Sequence, residues 1–182
     1  MEDENPNYFE FFNLPVSFII DEQMLKTKFY AYSKQYHPDF YINQSPQEQA
    51  HVLTLSAMNN RAYKILSNPD LRLAYTLRLL NVLDEHENYQ LSQEFLMEMM
   101  DINEQVMDAE KASNAENQLQ LVHQIKEFVD ELNIEQNRCF GAFELDLPSD
   151  KKLPILLSIK DLYFKKKYLL RIQEKLHRFA SL

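Results

Sequence analysis

The chain has 182 residues, of which 45% are hydrophobic, enough to bury a core in one domain or in two small ones. Its formal charge of −9 argues against general nucleic-acid binding, which depends on clustered Lys and Arg side chains. A single glycine, Gly141, supplies too few tight turns for all-β or dinucleotide-binding folds, so the composition favours an all-α protein.

The first two predicted helices are rich in aromatic residues. The segment from Tyr8 to Pro15 predicts a short aromatic helix. A second helix is predicted from Asp21 to Tyr36, where apolar residues recur at i, i+4, i+7 and i+11, namely Leu25, Phe29, Tyr32 and Tyr36. This spacing puts them on one face of the helix, which we expect to pack against another element.

The tripeptide His37-Pro38-Asp39 follows this helix directly. Pro38 cannot extend the helix, because it lacks an N–H group and disfavours helical geometry at the residue before it. After a loop, Ser45, Pro46 and Glu48 fit the N-cap, N1 and N3 positions of a third helix. The tripeptide alone could be an ordinary turn, since Pro and Asp are common in loops. Between two such helices it becomes a candidate recognition loop.

The third helix carries a stripe that can pack antiparallel on the second helix. Its members are Val52, Leu55, Ser56, Asn59, Ala62, Tyr63 and Leu66. Asn68-Pro69, with Arg72, Ala74 and Tyr75, then begins a fourth helix. The polar, acidic segment that follows predicts a boundary, with one domain at 1–81, a linker at 82–90 and a second domain at 91–182.

Three helices with apolar seams are predicted in the second domain, at about 91–113, 115–138 and 149–179. The first seam is Phe95, Met99, Ile102, Val106 and Ala109. The second is Leu119, Val122, Ile125 or Lys126, Val129 and Leu132. The third is Ile155, Ile159, Leu162, Lys166, Leu169 and Leu176, interrupted by the lysine. Three antiparallel helices with such seams can close one core, so we expect a three-helix bundle.

A second set of apolar residues lies outside the first of these seams. Leu96, Met100 and Met107 lie beside it and Met97 nearly opposite, with Asp101, Glu104 and Asp108 on the same outer surface. A Leu/Met patch bordered by carboxylates is typical of a partner-binding site. The alternative is a broad apolar arc that belongs to the core.

Two charged clusters predict solvated surface. The last helix is basic, with Lys160, Lys165, Lys166, Lys167, Arg171 and Lys175, and the joint at 84–87 is acidic. The single cysteine, Cys139, can form neither an internal disulfide nor a multi-cysteine zinc site, so we expect it to pack in a reducing compartment. An acidic N-terminus and the absence of a long apolar run predict a cytoplasmic protein without membrane contact.

The order helix, His37-Pro38-Asp39, capped helix and fourth helix resembles a J-domain. Over nearly its whole length the chain resembles the HscB-type co-chaperones of iron–sulfur cluster assembly. The matching segments beyond the J-domain are Phe95-Leu96-Met97-Glu98, Asp101, Glu104 and Gln173-Glu174-Lys175-Leu176. The resemblance implies an all-α fold in which an N-terminal J-domain, an antiparallel helical hairpin with short flanking helices, precedes a C-terminal three-helix bundle.

The resemblance also implies two partners and no cofactor. One is a DnaK-type, HscA-like chaperone ATPase, whose contact residues would be His37, Pro38, Asp39, Lys26, Tyr30 and Lys34. The other is an IscU-like iron–sulfur scaffold protein, whose contact residues would be Leu96, Met97, Met100, Asp101, Glu104, Asp108 and Phe164. The family has an aromatic residue on the last helix. When the helix ends are aligned, Asp161 takes that position, so assigning Phe164 to it requires the alignment to shift by one helical turn.

The chain departs from the family pattern near the loop. Asn13 stands where relatives often have glycine, and Phe40-Tyr41 replaces a lysine that often follows the aspartate. The N-terminal cysteine motif of some eukaryotic relatives is absent, so the resemblance implies no metal.

Three alternative functions can be compared with this interpretation. A general DnaJ-type co-chaperone would need a Gly/Phe-rich linker and a four-cysteine zinc module, which one glycine and one cysteine cannot form. A J-domain protein with an unrelated client is the second. A hydrolase that uses His37 and Asp39 is the third, but it would need other polar groups converging on a pocket, and the sequence has no such pattern.

Overall fold

A computed structural model of the chain describes residues 6–84, 86–112 and 115–180. All regular structure in these ranges is helical, which confirms the predicted fold class. The helices are α1 (Tyr8–Phe11), α2 (Glu22–Gln35), α3 (Pro46–Ser67), α4 (Pro69–Leu79), α5 (Gln93–Ala112), α6 (Ala115–Ala142) and α7 (Ser149–Ala180), with a 3-10 turn at Pro38–Tyr41. None of the described helices is long and apolar enough to cross a membrane.

The chain divides into two compact units, Met1–Leu80 and Asn81–Leu182. The division falls next to the start of the predicted linker at 82–90, but the bounds predicted for the linker and for the two domains stay predictions. Each unit has its own hydrophobic core.

The first unit begins with a helix of only one turn. Asn7 caps α1, because its Oδ1 accepts hydrogen bonds from the N–H groups of Phe9 and Glu10 at 3.0 and 3.1 Å. After α1 the chain turns through Asn13, whose φ of 49° is the left-handed geometry that asparagine tolerates. Lys28 then donates to the carbonyl of Asn13 at 2.9 Å, which ties this turn to α2.

Helices α2 and α3 form the antiparallel hairpin that the sequence predicts. Asp21 caps α2, and Ser45 with Glu48 forms the predicted capping box on α3. Phe29 of α2 stacks on Tyr63 of α3 with ring centroids 4.0 Å apart. The buried core of this unit is formed by residues of α1 and its C-cap, of α2 and of α3, namely Phe9, Phe12, Leu25, Ala62 and Leu66.

A buried arginine ties α4 to the rest of the first unit. Arg72 is only 6% exposed, and its guanidinium donates to the carbonyls of Phe18 and Leu66. The Leu66 carbonyl lies in the last turn of α3, where helical partners are missing, so Arg72 acts as a side-chain cap. Burial lowers the pKa of this guanidinium from its usual value.

The second unit is the predicted three-helix bundle, in which each of α5, α6 and α7 contacts the other two. On α5 the predicted seam is confirmed residue by residue, since all five of its members are buried. On α6 the prediction is wrong at Leu119, which is 59% exposed, whereas Leu121 is buried. Two residues along a helix are separated by a rotation of about 200° around its axis, so Leu119 lies on nearly the opposite side of α6 from Leu121.

On α7 the predicted seam is mostly correct. Ile159, Leu162, Leu169 and Leu176 are buried. Ile155 is only half-buried while its neighbour Leu156 is in the core, and Lys166 is half-buried. Ile172, which the heptad count missed, is also buried. The helix follows its natural 3.6-residue period over this length, so a strict seven-residue count drifts away from the buried face.

Replacing Arg72 by alanine should destabilise the first unit, because two buried carbonyls lose their donors. We expect the free energy of unfolding to fall by roughly 2–4 kcal/mol. Urea unfolding of the full chain, with hydrogen exchange assigned to α3 and α4, measures the loss. The matched control is Arg78→Ala, since Arg78 is exposed on the same helix and should change stability by less than about 0.5 kcal/mol. Equal losses in the two variants would contradict this role.

Candidate functional site

The His37-Pro38-Asp39 loop is an ordered 3-10 turn. His37 has extended backbone geometry (φ −72°, ψ 123°), as the residue before a proline prefers, and it caps the turn. The Nδ1 atom of His37 accepts a hydrogen bond from the backbone N–H of Asp39 at 3.3 Å. The imidazole therefore fixes the backbone of the turn, while the carboxylate of Asp39 remains 75% exposed.

The base of the turn is fastened to both helices. The Tyr41 hydroxyl donates to the carbonyl of Gln35 at the end of α2, at 3.0 Å. From α3, the side-chain amide of Gln49 donates to the carbonyls of Ile42 and Gln44, each at 3.0 Å. These bonds hold the base of the turn to both helices, and all three residues of the tripeptide are exposed.

The other residues predicted to contact the chaperone lie on α2. Lys26, Tyr30 and Lys34 are exposed and follow one another at intervals of four residues, so they share one face of the helix. That face leads toward the tripeptide, and Tyr30 is 60% exposed. The structure thus brings all six predicted residues onto α2 and the turn that follows it.

His37 and Asp39 stand on the open surface of the turn. General acid–base catalysis requires groups that converge on a reacting atom in a sheltered site. Within the described ranges, no three His, Cys, Asp or Glu side chains are grouped to hold a metal ion. The side chains of His37 and Asp39 are both open to solvent on the turn.

The outer face of α5 is a second candidate surface. Leu96, Met97 and Met100 are 39%, 62% and 72% exposed, so these side chains do not belong to the core. Asp101, Glu104 and Asp108 are exposed along the same helix. The alternative of a broad core stripe is therefore wrong for this face.

The segment before α5 packs on α7. The ammonium of Lys160, in a residue only 9% exposed, donates to the carbonyl of Val82 at 2.8 Å and forms an ion pair with Glu87. Leu83 is buried as well. The expectation that both charged clusters are fully solvated is wrong here, because an acid of the joint and a lysine of the basic helix pair with each other.

Tyr89 fastens the end of this segment. Its ring stacks on Phe164 with centroids 4.5 Å apart and planes 4° from parallel, and its hydroxyl donates to Asp161 at 2.8 Å. Burial, followed by this hydrogen bond and the nearby carboxylate charges, raises the pKa of Tyr89 to about 12. Asp161, the position that an unshifted alignment would assign to the family aromatic, thus orients Tyr89, while Phe164 supplies the ring on which Tyr89 stacks.

Phe164 and Leu96 line one open groove of about 540 Å³. Its remaining walls combine apolar and charged side chains, among them Tyr89, Leu91, Lys167, Tyr168 and Arg171. The groove connects Leu96 of α5 with Phe164 of α7. The sequence analysis did not predict a role for Tyr89. The one sequence feature that indicated a contact here was the opposite charge of the segment at 84–87 and of the last helix.

The comparisons with known proteins agree with this two-part architecture. A family model described as the HSCB C-terminal oligomerisation domain matches residues 91–177. The mouse (Mus musculus) iron-sulfur cluster co-chaperone protein HscB is 30% identical over 176 residues, which cover 96% of this chain and 69% of the mouse protein. This chain belongs to the HscB co-chaperone family.

Other members support the assignment. The co-chaperone protein HscB of Proteus mirabilis is 33% identical over 114 residues, an alignment that covers 62% of this chain and 66% of that protein, just under two thirds of its length. The crystal structure of human co-chaperone protein HscB matches with a TM-score of 0.75 at 25% identity, over 96% of this chain and 82% of the human chain. The predicted architecture of an HscB, a J-domain followed by a helical bundle, is confirmed.

The raised pKa of Tyr89 can be tested by titration. The neutral phenol is favoured in the folded protein, so the folded pKa lies above the ordinary value of about 10. The stability that this group contributes is present below about pH 10 and is lost as the pH rises toward 12. Subtracting the tyrosinate absorbance of Tyr89→Phe from that of the parent chain isolates one of the ten tyrosines.

We expect the difference titration to be centred near pH 12. Asp161→Asn, which removes the carboxylate charge, should move the midpoint toward the ordinary value. A midpoint near pH 10 in the parent chain would contradict the hydrogen bond between Tyr89 and Asp161.

Proposed function

We propose that this protein is a co-chaperone that stimulates the ATPase of a DnaK-type, HscA-like chaperone and delivers an IscU-like iron–sulfur scaffold protein to it. The observation that carries the proposal is the His37-Pro38-Asp39 turn, exposed and fastened to both arms of a helical hairpin in a chain of the HscB family. On this proposal, the protein performs no reaction of its own.

Each residue of the tripeptide has a separate task in this proposal. Asp39 presents an exposed carboxylate that can pair with an arginine of the ATPase. Hydrogen bonds between two charged groups are stronger than those between neutral groups. Pro38 ends α2 and fixes the backbone of the turn. His37 holds the turn through its bond to the N–H of Asp39 and leaves its own side chain half exposed.

Lys26, Tyr30 and Lys34 extend this contact along α2. Two lysines on one helix face can guide the approach of an acidic surface of the chaperone. Tyr30 lies between them and can pack on that surface with its ring. We assign these three residues to orientation of the chaperone and the tripeptide to stimulation.

The scaffold is assigned to the outer face of α5 and to Phe164. Leu96, Met97 and Met100 give a flexible apolar contact, which suits an irregular protein surface. The carboxylates of Asp101, Glu104 and Asp108 would fix the orientation of a basic partner surface. The groove that joins Leu96 to Phe164 supports a contact that spans α5 and α7.

Residues 1–81 are then the chaperone-stimulating domain, 82–90 the connection and 91–182 the client-binding domain of a cytoplasmic protein. A J-domain co-chaperone with a different protein client is the second candidate, because the same Leu/Met face could bind another partner. Binding measured with the purified scaffold distinguishes the two.

Asp39→Ala should abolish stimulation without unfolding the protein, because Asp39 is exposed and surface changes usually alter stability by less than about 0.5 kcal/mol. The measurement is the steady-state ATPase rate of the chaperone, with circular dichroism as a check on folding. The matched control is Asp21→Asn, which changes another aspartate of the same domain at the far end of α2. Equal stimulation by Asp39→Ala and the parent chain would refute the role of the tripeptide.

Leu96→Ala combined with Met97→Ala should weaken scaffold binding about ten-fold or more if these residues are the centre of the contact, where the few dominant residues cost over about 1 kcal/mol each when truncated. Basal stimulation of the ATPase should survive, because the J-domain is unchanged. Calorimetric titration with the scaffold measures the affinity. Ile134→Ala on α6 is the control, since Ile134 is 71% exposed on another helix. Unchanged affinity in the double variant would remove α5 from the site.

A further inference from the structure

Two large apolar side chains project from the turn that carries the tripeptide. Phe40 and Ile42 are each 67% exposed, although both belong to residue types that usually lose most of their surface on folding. Phe40 follows Asp39 directly, and its ring lies 5.7 Å from that of His37. We call these two side chains the Phe40 patch, which adjoins the tripeptide through Phe40.

The backbone under the patch is held in place. The N–H of Phe40 donates to the carbonyl of His37 at 3.1 Å, which closes the 3-10 turn. The carbonyl of Ile42 accepts from Gln49 at 3.0 Å. Between the two, the Tyr41 hydroxyl is anchored to α2. With Tyr41 directed toward the hairpin, the side chains on either side of it remain outside the core.

The first unit has little charge with which to attract a partner. Residues 1–80 contain seven Lys and Arg, at 26, 28, 34, 61, 64, 72 and 78, against nine Asp and Glu, at 2, 3, 4, 10, 21, 22, 39, 48 and 70. Two of the seven are already used, because Arg72 is buried and Lys28 bonds to backbone carbonyls. Lys26 and Lys34 are thus the cations of α2 that remain for docking.

We infer that the Phe40 patch is a specificity-determining contact that inserts into an apolar depression on the chaperone ATPase, beside the cation that receives Asp39. This inference rests on the proposed function. The partner is the chaperone ATPase because Phe40 directly follows Asp39, so a protein that contacts Asp39 must also cover Phe40. Apolar burial supplies affinity that two lysines cannot, and salt does not screen it.

The test is an ATPase titration with the full chain and the DnaK-type chaperone of the same cell. For Phe40→Ala with Ile42→Ala we expect the half-maximal co-chaperone concentration to rise about ten-fold or more, with the maximal stimulation kept. Asp39→Ala should instead lose the maximal stimulation. Phe40→Lys should bind with a steeper salt dependence than the parent chain, because it replaces an apolar contact by a charge.

Ile19→Ala is the matched control, since Ile19 is 56% exposed in the same unit but precedes α2, at the opposite end from the turn. It should titrate like the parent chain. If the Phe40/Ile42 variant also does so while Asp39→Ala is inactive, the inference is overturned and the proposed function stands. A Phe40→Lys variant that matches the parent chain at two ionic strengths would overturn it too. Absence of stimulation by the parent chain would refute the proposed function itself.

Discussion

The antiparallel packing of α2 against α3 is the constraint on which the first unit depends. Pro38 forces α2 to end, and the capping box at Ser45 forces α3 to begin, so the chain must reverse direction in ten residues. Asn59 holds the two helices in register, because its buried amide donates to the Phe29 carbonyl and to the Ser33 hydroxyl. A shift of one helix along the other would leave that amide unpaired. The position of the turn is therefore set from within the hairpin.

The two candidate surfaces are built differently. In the turn, the backbone geometry is fixed by hydrogen bonds from Tyr41 and Gln49, so the proposed role of Asp39 depends on both residues. The face of α5 depends on side chains alone, displayed by a helix whose other side is packed in the bundle. Changes on that exposed face should therefore cost little stability, whereas changes at Tyr41 or Gln49 would remove hydrogen bonds that hold the turn.

Local patterns account for most of what could be predicted from the sequence. The capping box at Ser45 and the seam of α5 are encoded within a few turns of helix, and both predictions were correct. The contact of Lys160 with Val82 joins residues 78 positions apart, and that of Tyr89 with Asp161 joins residues 72 apart. The periodicity of apolar residues along a helix does not predict contacts between residues so far apart in the sequence. For the same reason the register of α6 was misplaced at Leu119, since its buried face is decided by its neighbours.

The segment before α5 also decides where the second unit physically begins. The family match starts at residue 91, yet a fragment cut there would lose Val82, Glu87 and Tyr89. The Lys160 ammonium would lose the carbonyl and the carboxylate that it contacts, and one face of Phe164 would lose the ring of Tyr89. Such a fragment would lack the wall of the groove that residues 87–90 supply. Binding studies on the isolated bundle should therefore start at Asn81, where the compact unit starts.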